Sequence, residues 1–377
     1  MIKKLSIILC IAILTACSKD DYVPGIWVPD PNDPTEVMEN RVEGRVNIAY
    51  VTYYGTSIPD PTYLTHISYS FAELYVKDNV YQKFALQGDL SRFEKIVALK
   101  SQNPRLKVVL SFTNSVSNSD NTKDGGFSAM AKTDEGRTKF ANDCLAFCRK
   151  YNLDGIDIDW EFPGMTFGSN AFDATVDVDN YTLLMKKLRE VLGTQYILSY
   201  AGYSDNVKAT TGGKKYIDIA AVDPYVDYVN IMTYDLCSAP QHQSAINVPS
   251  YYWDCKRSVD AYIKAGVSPS KLVLGIPFYG RRDFESSAGL MNYKDIIKLS
   301  KSSGYIIDNW DEKGQVPYVS LNGAFEYGYD NPKSIAIKGQ WIMPMGFKGM
   351  MFWDYDGDDA KGTLRKACWN AVMKQYK

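Results

Sequence analysis

The chain has 377 residues and a formal net charge of -2 at pH 7, so it lacks the basic field that attracts nucleic acid. Its 45% hydrophobic and 23% charged content is ordinary for a globular protein with a substantial core. With only two histidines, a histidine metal site or a Ser-His-Asp triad has few candidates. We expect His66 to be a hydrogen-bonded strand residue, whereas His242, in a polar loop, could touch a ligand.

The first residues form a targeting segment. Two lysines precede the apolar run Leu5 to Leu14, which is too short to span a bilayer permanently. The sequence Leu14-Thr-Ala-Cys17 resembles a bacterial lipobox, and this resemblance implies a signal peptide over residues 1–16 and a lipid on Cys17. A plain signal peptide followed by a chance cysteine is the alternative.

A polar spacer follows the cysteine. Ser18-Lys-Asp-Asp21 resembles the acidic export signal of surface lipoproteins in Bacteroidetes, which implies an exported outer-membrane lipoprotein that could be displayed on the cell surface. Residues 17–43 are rich in Pro, Asp and Asn, a composition typical of an extended, poorly packed linker. We therefore expect membrane contact only through the lipid anchor, with the folded domain over residues 44–377.

Eight short apolar or β-branched runs recur after the spacer and alternate with helical patterns. The predicted strands are Val46–Tyr53, Ile67–Leu74, Val108–Phe112, Gly155–Phe162, Tyr196–Ala201, Val226–Tyr234, Leu272–Tyr279 and Gly349–Tyr355. The predicted helices include Leu90–Leu99, Glu135–Tyr151, Tyr181–Leu192 and Arg257–Ala265. This alternation predicts an α/β fold with a parallel sheet, and eight units fit a (β/α)8 TIM barrel. A doubly wound open sheet is the alternative, but no Gly-rich phosphate loop follows any strand.

One connection, between the seventh and eighth strands, is long enough to hold a small α+β insertion over about residues 282–340. Tyr293 to Ser303 has helical spacing, and Tyr318–Leu321 and Ala324–Tyr329 have the pattern of short strands. This insertion is compact.

Five cysteines remain after the two in the targeting segment, so they cannot all pair within one chain. They lack zinc-ribbon spacing, and we expect mainly small buried side chains. A bridge between Cys237 and Cys255 stays open at this point.

The fourth predicted strand carries an alternating row of acids. Side chains of a strand alternate between its two faces, so Asp157, Asp159 and Glu161 share one face in the sequence Ile156 to Glu161. In a barrel the apolar set would pack under the outer helices, and the acids would point into the interior.

Three inward carboxyls in a low-dielectric site cannot all ionise easily, so the group should retain a proton. Glu161 is the last and longest of the row and lies nearest the C-terminal mouth, where barrel active sites are found. It is the natural general acid for a glycosidic bond. A solvated acidic edge strand or a calcium loop is the alternative, although calcium loops do not place Ile between their acids.

The chain resembles glycoside hydrolase family 18, the chitinase family, over about residues 45–372. Its signature Asp-x-x-Asp-x-Asp-x-Glu is matched by Asp154, Asp157, Asp159 and Glu161. Further matches in the family's order are Met232-Thr-Tyr-Asp235, Gly275-Ile-Pro-Phe-Tyr-Gly-Arg281 and Gly349-Met-Met-Phe-Trp-Asp354.

The resemblance implies a retaining, substrate-assisted hydrolysis of β-1,4-linked N-acetylglucosamine glycans, in which the sugar's own acetamido oxygen is the nucleophile. It implies that Glu161 is the acid/base, that Asp159 orients the acetamide, and that Asp157 shares a proton with Asp159. The remaining residues implied are Tyr234 as a catalytic hydrogen-bond donor, and Trp353, Asp235, Met232, Tyr50, Ser111, Tyr279 and Arg281 in substrate binding. Tyr50 and Ser111 match positions that support the buried Asp, and Tyr279 is as readily a core residue. The mechanism needs no metal or organic cofactor.

The third strand departs from the family, whose pattern there is Ser-x-Gly-Gly, because this chain has Ser111-Phe-Thr-Asn114. Side chains replace both glycines, so the adjoining backbone or sugar subsite should differ. Two alternatives remain for the function: an endo-β-N-acetylglucosaminidase acting on N-glycans, or a non-catalytic chitinase-like lectin. Endo or exo action, processivity and oligomeric state are not determined by the sequence.

Overall fold

The computed structural model describes residues 34–39, 41–114, 126–165, 171–203, 216–248 and 252–374. The predicted signal peptide, the lipidation site Cys17 and most of the spacer lie outside this set. Within it, no helix combines the length and the apolar character that a bilayer span requires.

The secondary structure alternates between strands and helices for most of the chain. The strands are β1 (Val46–Thr52), β2 (His66–Lys77), β3 (Val80–Leu86), β4 (Lys107–Thr113), β5 (Gly155–Asp159), β6 (Ile197–Gly202), β7 (Tyr228–Ile231), β8 (Leu272–Pro277), β9 (Tyr279–Arg281), β10 (Leu290–Asn292), β11 (Tyr305–Asp311), β12 (Val316–Leu321), β13 (Ala324–Gly328) and β14 (Gly349–Trp353). The helices are α1 (Pro34–Glu39), α2 (Leu90–Val97), α3 (Phe127–Lys132), α4 (Asp134–Tyr151), α5 (Asp177–Leu192), α6 (Ile219–Val222), α7 (Cys255–Lys264), α8 (Tyr293–Ile296), α9 (Pro332–Ile342) and α10 (Thr363–Met373).

Eight parallel strands close into a barrel, as the alternating pattern predicts. Their order around the barrel is β1, β14, β8, β7, β6, β5, β4 and β2, and β1 pairs with both β14 and β2 to complete the ring. All eight predicted strands are present, and the (β/α)8 TIM barrel is confirmed. β3 adds an antiparallel hairpin outside the ring, on β2.

The core has an outer and an inner layer. Between the strands and the helices, Ile156, Ile158 and Trp160 belong to the large apolar cluster. Trp160 stacks on Phe127 of α3 with ring centroids 5.2 Å apart, so the apolar face of β5 packs outward as expected. A smaller cluster fills the barrel interior and contains Val46, Ile48, Tyr50, Tyr228, Val273 and Met351.

The insertion between β8 and β14 is an antiparallel sheet in the order β10, β9, β13, β12 and β11. The predicted helical stretch from Tyr293 becomes α8 followed by a 3-10 helix over Ile297–Lys301. Beyond the sheet, α9 packs against α10 and so joins the outer ring of helices. The insertion is therefore a sheet over Tyr279 to Gly328, set on the C-terminal side of the barrel.

The two histidines have structural partners. His66 Nδ1 lies 2.8 Å from Thr65 Oγ1, and burial lowers the pKa of His66 to about 3, which keeps the ring neutral. His242 Nε2 lies 3.1 Å from Asp311 Oδ2 and packs edge-on against Phe325, so it joins a barrel loop to the insertion. That His242 could touch a ligand stays a prediction.

The structure answers the open question of the cysteine bridge and corrects one expectation for the spacer. Cys237 and Cys255 are free thiols, and their sulfurs lie near the carbonyl oxygens of Trp253 and Ser244, at 3.7 and 3.3 Å. The end of the spacer is not extended over Pro34–Glu39, because Val37 of this helix is 1% exposed and packs with Tyr63 and Trp369.

Candidate active site

The row of acids on β5 leads into a cavity at the C-terminal end of the barrel. Asp157 and Asp159 are on the strand and buried, and Glu161 follows two residues after the strand ends. The cavity holds about 660 Å³, a size typical of small-molecule sites. Its lining includes Tyr50, Phe71, Thr113, Asp159, Glu161, Phe162, Ala201, Tyr203, Met232, Tyr234, Asp235, Tyr279, Phe284 and Trp353.

Asp157 lies at the bottom of the row and is surrounded by neutral donors. Its Oδ2 accepts from Tyr50 Oη and Ser111 Oγ, both at 2.8 Å. Its Oδ1 accepts from Ser199 Oγ at 2.6 Å and more weakly from Asn230 Nδ2 at 3.4 Å. Burial raises the pKa of Asp157 although these hydrogen bonds oppose the change. Ser111 thus supports the acid from below and is not part of the cavity wall.

The sequence did not reveal two of these donors. Ser199 is the register partner of Asp157 on β6, and Asn230 is on β7, where its Nδ2 also donates to Tyr50 Oη at 3.0 Å. The available signal is a polar side chain inside an otherwise apolar strand, which in a barrel core implies a hydrogen-bond partner.

Asp159 and Glu161 form the electrostatic centre of the site. Their carboxyls share a side-chain hydrogen bond, and the Oδ1 atom of Asp159 is buried with no hydrogen-bond partner among the described residues. Burial, followed by the charge of Glu161, raises the pKa of Asp159 well above its ordinary value. Burial also raises the pKa of Glu161 to about 7. The pair therefore retains a proton near neutral pH.

Asp159 is influenced by the acids on both sides of it. Besides burial, the charges of Glu161 and of Asp157 both raise its pKa. Both oxygens of Asp157 also accept hydrogen bonds from Tyr50, Ser111 and Ser199. The proton shared between Asp157 and Asp159 that the resemblance implies stays a prediction.

Asp154, the first acid of the signature, lies at the opposite end of β5. Its carboxylate forms ion pairs with Lys100 at 2.8 Å and Lys107 at 3.0 Å, and it accepts from Val108 N–H. It ties β5 to the start of β4 and does not take part in the cavity.

Tyr234 and its neighbours form one wall. A Cβ atom at Gly275 would lie 2.4 Å from Ile231 O and 2.8 Å from the Tyr234 ring, so only glycine on β8 allows the ring to lie there. Next to it, Asp235 is held by Arg281 through two hydrogen bonds of 2.9 Å, from Nε and Nη2. Arg281 therefore fixes a wall residue and is not itself in the cavity lining. Tyr279, 4% exposed, does reach the lining from its largely buried position.

Aromatic rings form the rest of the surface. Trp353, at the end of β14, stacks on Phe71 with centroids 5.7 Å apart and an interplanar angle of 24°. Phe162 stacks on Tyr203 at 4.1 Å. Sequence reasoning singled out Trp353 but missed Phe71, Phe162 and Tyr203. Flat apolar rings with polar neighbours suit the faces of sugars.

A second cavity of about 350 Å³ continues the first and shares Tyr279 and Trp353 with it. Its lining adds the exposed ring of Tyr54 and the polar side chains of Asn292 and Lys294. The two cavities together form a groove at the mouth of the barrel. In the described part of the chain, no cluster of His, Cys, Asp and Glu side chains is arranged to hold a metal ion.

A parallel barrel with a proton-sharing carboxyl pair at its aromatic C-terminal mouth defines a class of protein, the glycoside hydrolases. The chain belongs to glycosyl hydrolases family 18, whose family model matches residues 46–358. The resemblance drawn from the four motifs is thereby confirmed, and the protein is a glycoside hydrolase.

Relatives extend this comparison. Chitinase A1 of Niallia circulans is 31% identical over 385 residues, which cover 90% of this chain and 51% of that protein. The chain thus spans about half the length of that relative. Probable chitinase 2 of Drosophila melanogaster is 29% identical over 344 residues, covering 81% of this chain and 68% of that protein. A family 18 N-acetylglucosaminidase from Paenibacillus barengoltzii has a similar structure, with a TM-score of 0.70, 26% identity, and coverage of 87% of this chain and 100% of that chain.

Proposed function

We propose that this protein hydrolyses β-1,4-linked N-acetylglucosamine glycans, chitin and its oligosaccharides, with retention of configuration. The observation that carries the proposal is the hydrogen-bonded pair of Asp159 and Glu161 at the aromatic mouth. Membership of family 18 and the chitinases among the relatives support the same substrate class.

The spacing of the carboxyls supports a nucleophile from the substrate. In a retaining enzyme with its own nucleophile, the two carboxyls lie about 5–5.5 Å apart on opposite faces of the sugar. Asp159 and Glu161 are two residues apart on the same face of β5 and its extension, so they would approach a sugar from one side and not flank its anomeric carbon. Asp235, the next acid in the wall, is held by Arg281. The acetamido oxygen of the substrate remains as the nucleophile.

The reaction then proceeds in two steps. Glu161 transfers its proton to the glycosidic oxygen as the bond to the anomeric carbon breaks, and the acetamido oxygen bonds to that carbon to form an oxazolinium ion. Asp159, through its unpaired Oδ1, accepts the acetamide N–H and stabilises the positive charge. Glu161, now a carboxylate, removes a proton from water as the water oxygen attacks the anomeric carbon, and the acetamido group is restored.

Tyr234 and Trp353 complete this site. Burial raises the pKa of the Tyr234 phenol well above its ordinary value, so it stays a hydrogen-bond donor at every working pH. Its proposed acceptor is the acetamido oxygen. Trp353, stacked on Phe71, offers a flat apolar floor beneath the reacting sugar.

The experiment that tests this function is product analysis by mass spectrometry on chitooligosaccharides beside a high-mannose glycoprotein. We expect cleavage of the chitooligosaccharides, with the β-anomer formed first in NMR spectra. Cleavage of the glycoprotein alone would identify an endo-β-N-acetylglucosaminidase. Turnover of neither, with retained oligosaccharide binding, would identify a lectin. Initial release of the α-anomer would contradict the retaining mechanism.

We also propose that the protein is exported and anchored by a lipid on Cys17 in the outer membrane. The support is the sequence Leu14-Thr-Ala-Cys17 after a short apolar run. In cells labelled with a radioactive fatty acid, wild-type protein should carry the label and Cys17→Ser should not. Equal labelling of both would contradict the proposal.

A further inference from the structure

Asn114 makes an unusual contact with the backbone of Glu161. Its Nδ2 donates to the Glu161 carbonyl oxygen at 3.0 Å, and its Oδ1 accepts the Glu161 N–H at 3.2 Å. The Asn114 side chain is almost fully buried, at 4% exposure. The amide nitrogen and oxygen of the Asn114 side chain thus bind the backbone C=O and N–H of Glu161, respectively.

The sheet itself does not support Glu161. Pairing between β4 and β5 ends at Thr113 and Asp159, and pairing between β5 and β6 ends at Ile158 and Tyr200. Glu161 lies beyond both ladders. A side-chain amide has donors and an acceptor like a peptide group, so it can continue a ladder where the main chain has left it.

We infer that Asn114 is a positioning residue that holds the backbone of Glu161 at the place where its carboxyl meets Asp159. This inference rests on the proposed function, because it assumes that Glu161 is the acid. Asn114 is one of the two side chains that stand where the resemblance leads us to expect glycine. Glycine has no side chain for such a contact, so the support is supplied by this chain's own residue.

The principal test is Asn114→Ala, with kcat and KM measured on a chitooligosaccharide. Loss of the amide frees the Glu161 backbone, and small displacements of a reacting group reduce rates by about 10- to 100-fold. We expect a fall of that size in kcat with KM changed by less than about twofold, since the aromatic walls remain. A kcat equal to that of the wild type would overturn the inference.

A second variant, Asn114→Asp, gives a readout that a purely structural role would not produce. A protonated carboxyl has one donor and one acceptor and can replace the amide, whereas a carboxylate cannot donate to the Glu161 carbonyl. The ratio of its kcat to that of the wild type should be highest at low pH and fall as pH rises from about 4. A ratio that does not change with pH would count against the inference, and this profile decides if Asn114→Ala does not fold.

Asn103 provides the matched control. It is 3% exposed, lies before the other end of β4, and its Nδ2 donates to the carbonyl oxygen of Pro61 at 3.1 Å. Asn103→Ala should lower the melting temperature but leave kcat per folded molecule unchanged. Equal losses of kcat in the two alanine variants would overturn the positioning role. Full activity of Glu161→Gln would instead overturn the proposed function, so the two failures are distinguishable.

Discussion

The two ends of β5 carry the same kind of side chain in opposite surroundings. At the N-terminal end, Asp154 is compensated by Lys100 and Lys107 and holds two strands together. At the C-terminal end, Asp159 is buried and Glu161 is half-buried, and neither forms an ion pair with a cationic side chain in the described ranges. A carboxylate paired with a cation stays ionised and stabilises the fold. A desolvated carboxyl without a cation retains a proton, which can be used in catalysis.

The largest effect on kcat should come from replacing the proton donor Glu161 at the C-terminal end of β5. We expect Glu161→Gln to lower kcat by about 10²–10⁴-fold, the contribution of a general acid, because the amide cannot protonate a leaving oxygen. Oligosaccharide binding, followed by tryptophan fluorescence, should persist because the aromatic walls are unchanged. Near wild-type turnover would remove Glu161 from its assigned role.

Removing the neighbouring carboxyl tests the other half of the pair. Asp159→Asn should lower kcat by about 10²–10³-fold, because a neutral amide no longer stabilises the positive charge of the intermediate. As a substrate control, wild-type protein should not turn over a fully de-N-acetylated oligosaccharide. Equal rates on both substrates would mean that the acetamido group is not the nucleophile.

The pH profile of activity measures how far burial has raised the pKa of Glu161 at the C-terminal end of β5. Burial raises the pKa of Glu161 from 4.5 to about 7, and the reaction requires the protonated form. Activity should therefore fall as pH rises through about 7, and kcat/KM measured from pH 4 to 9 checks this. An alkaline limb near 4.5 would show that the site does not desolvate its acid.

The smallest expected effects are on the free energy of unfolding. They have opposite signs for substitutions at the two ends of β5. Since folding raises the pKa of Glu161, stability falls as pH rises from 4.5 to about 7. Glu161→Gln should then be more stable than wild type by about 1–2 kcal/mol at pH 8, with no gain below pH 4. Urea denaturation at both pH values measures the difference, and a loss at pH 8 would contradict it.

Asp154→Asn should do the reverse. It weakens two partly exposed ion pairs and should cost about 1 kcal/mol. Its kcat should equal that of the wild type, because Asp154 and Glu161 lie beyond opposite ends of β5, about 20 Å apart. A reduced kcat would mean that the N-terminal end of β5 is coupled to the site.

Much of this arrangement follows from the sequence, because strand alternation is a local rule. The period of two in Ile156 to Glu161 is sufficient to place three acids on one face, and the eight apolar runs are sufficient for a barrel. The row of carboxyls and its inward direction are predictable without any coordinates.

What could not be predicted depends on contacts between distant segments. Ser199 and Asn230 are ordinary residues in their own strands and become donors only when the barrel brings them to Asp157. Likewise, Val37 of the predicted linker is packed only because Tyr63 and Trp369 meet near it.

The docking of α1 on Tyr63 and Trp369 also fixes the end of the barrel at which the N-terminal segment joins it. Tyr63 precedes β2, and the chain enters β1 at Val46. The N-terminal segment therefore joins the barrel at the N-terminal ends of its strands. The groove opens at the other end. A tether attached before α1 would therefore leave the barrel on the side away from the groove.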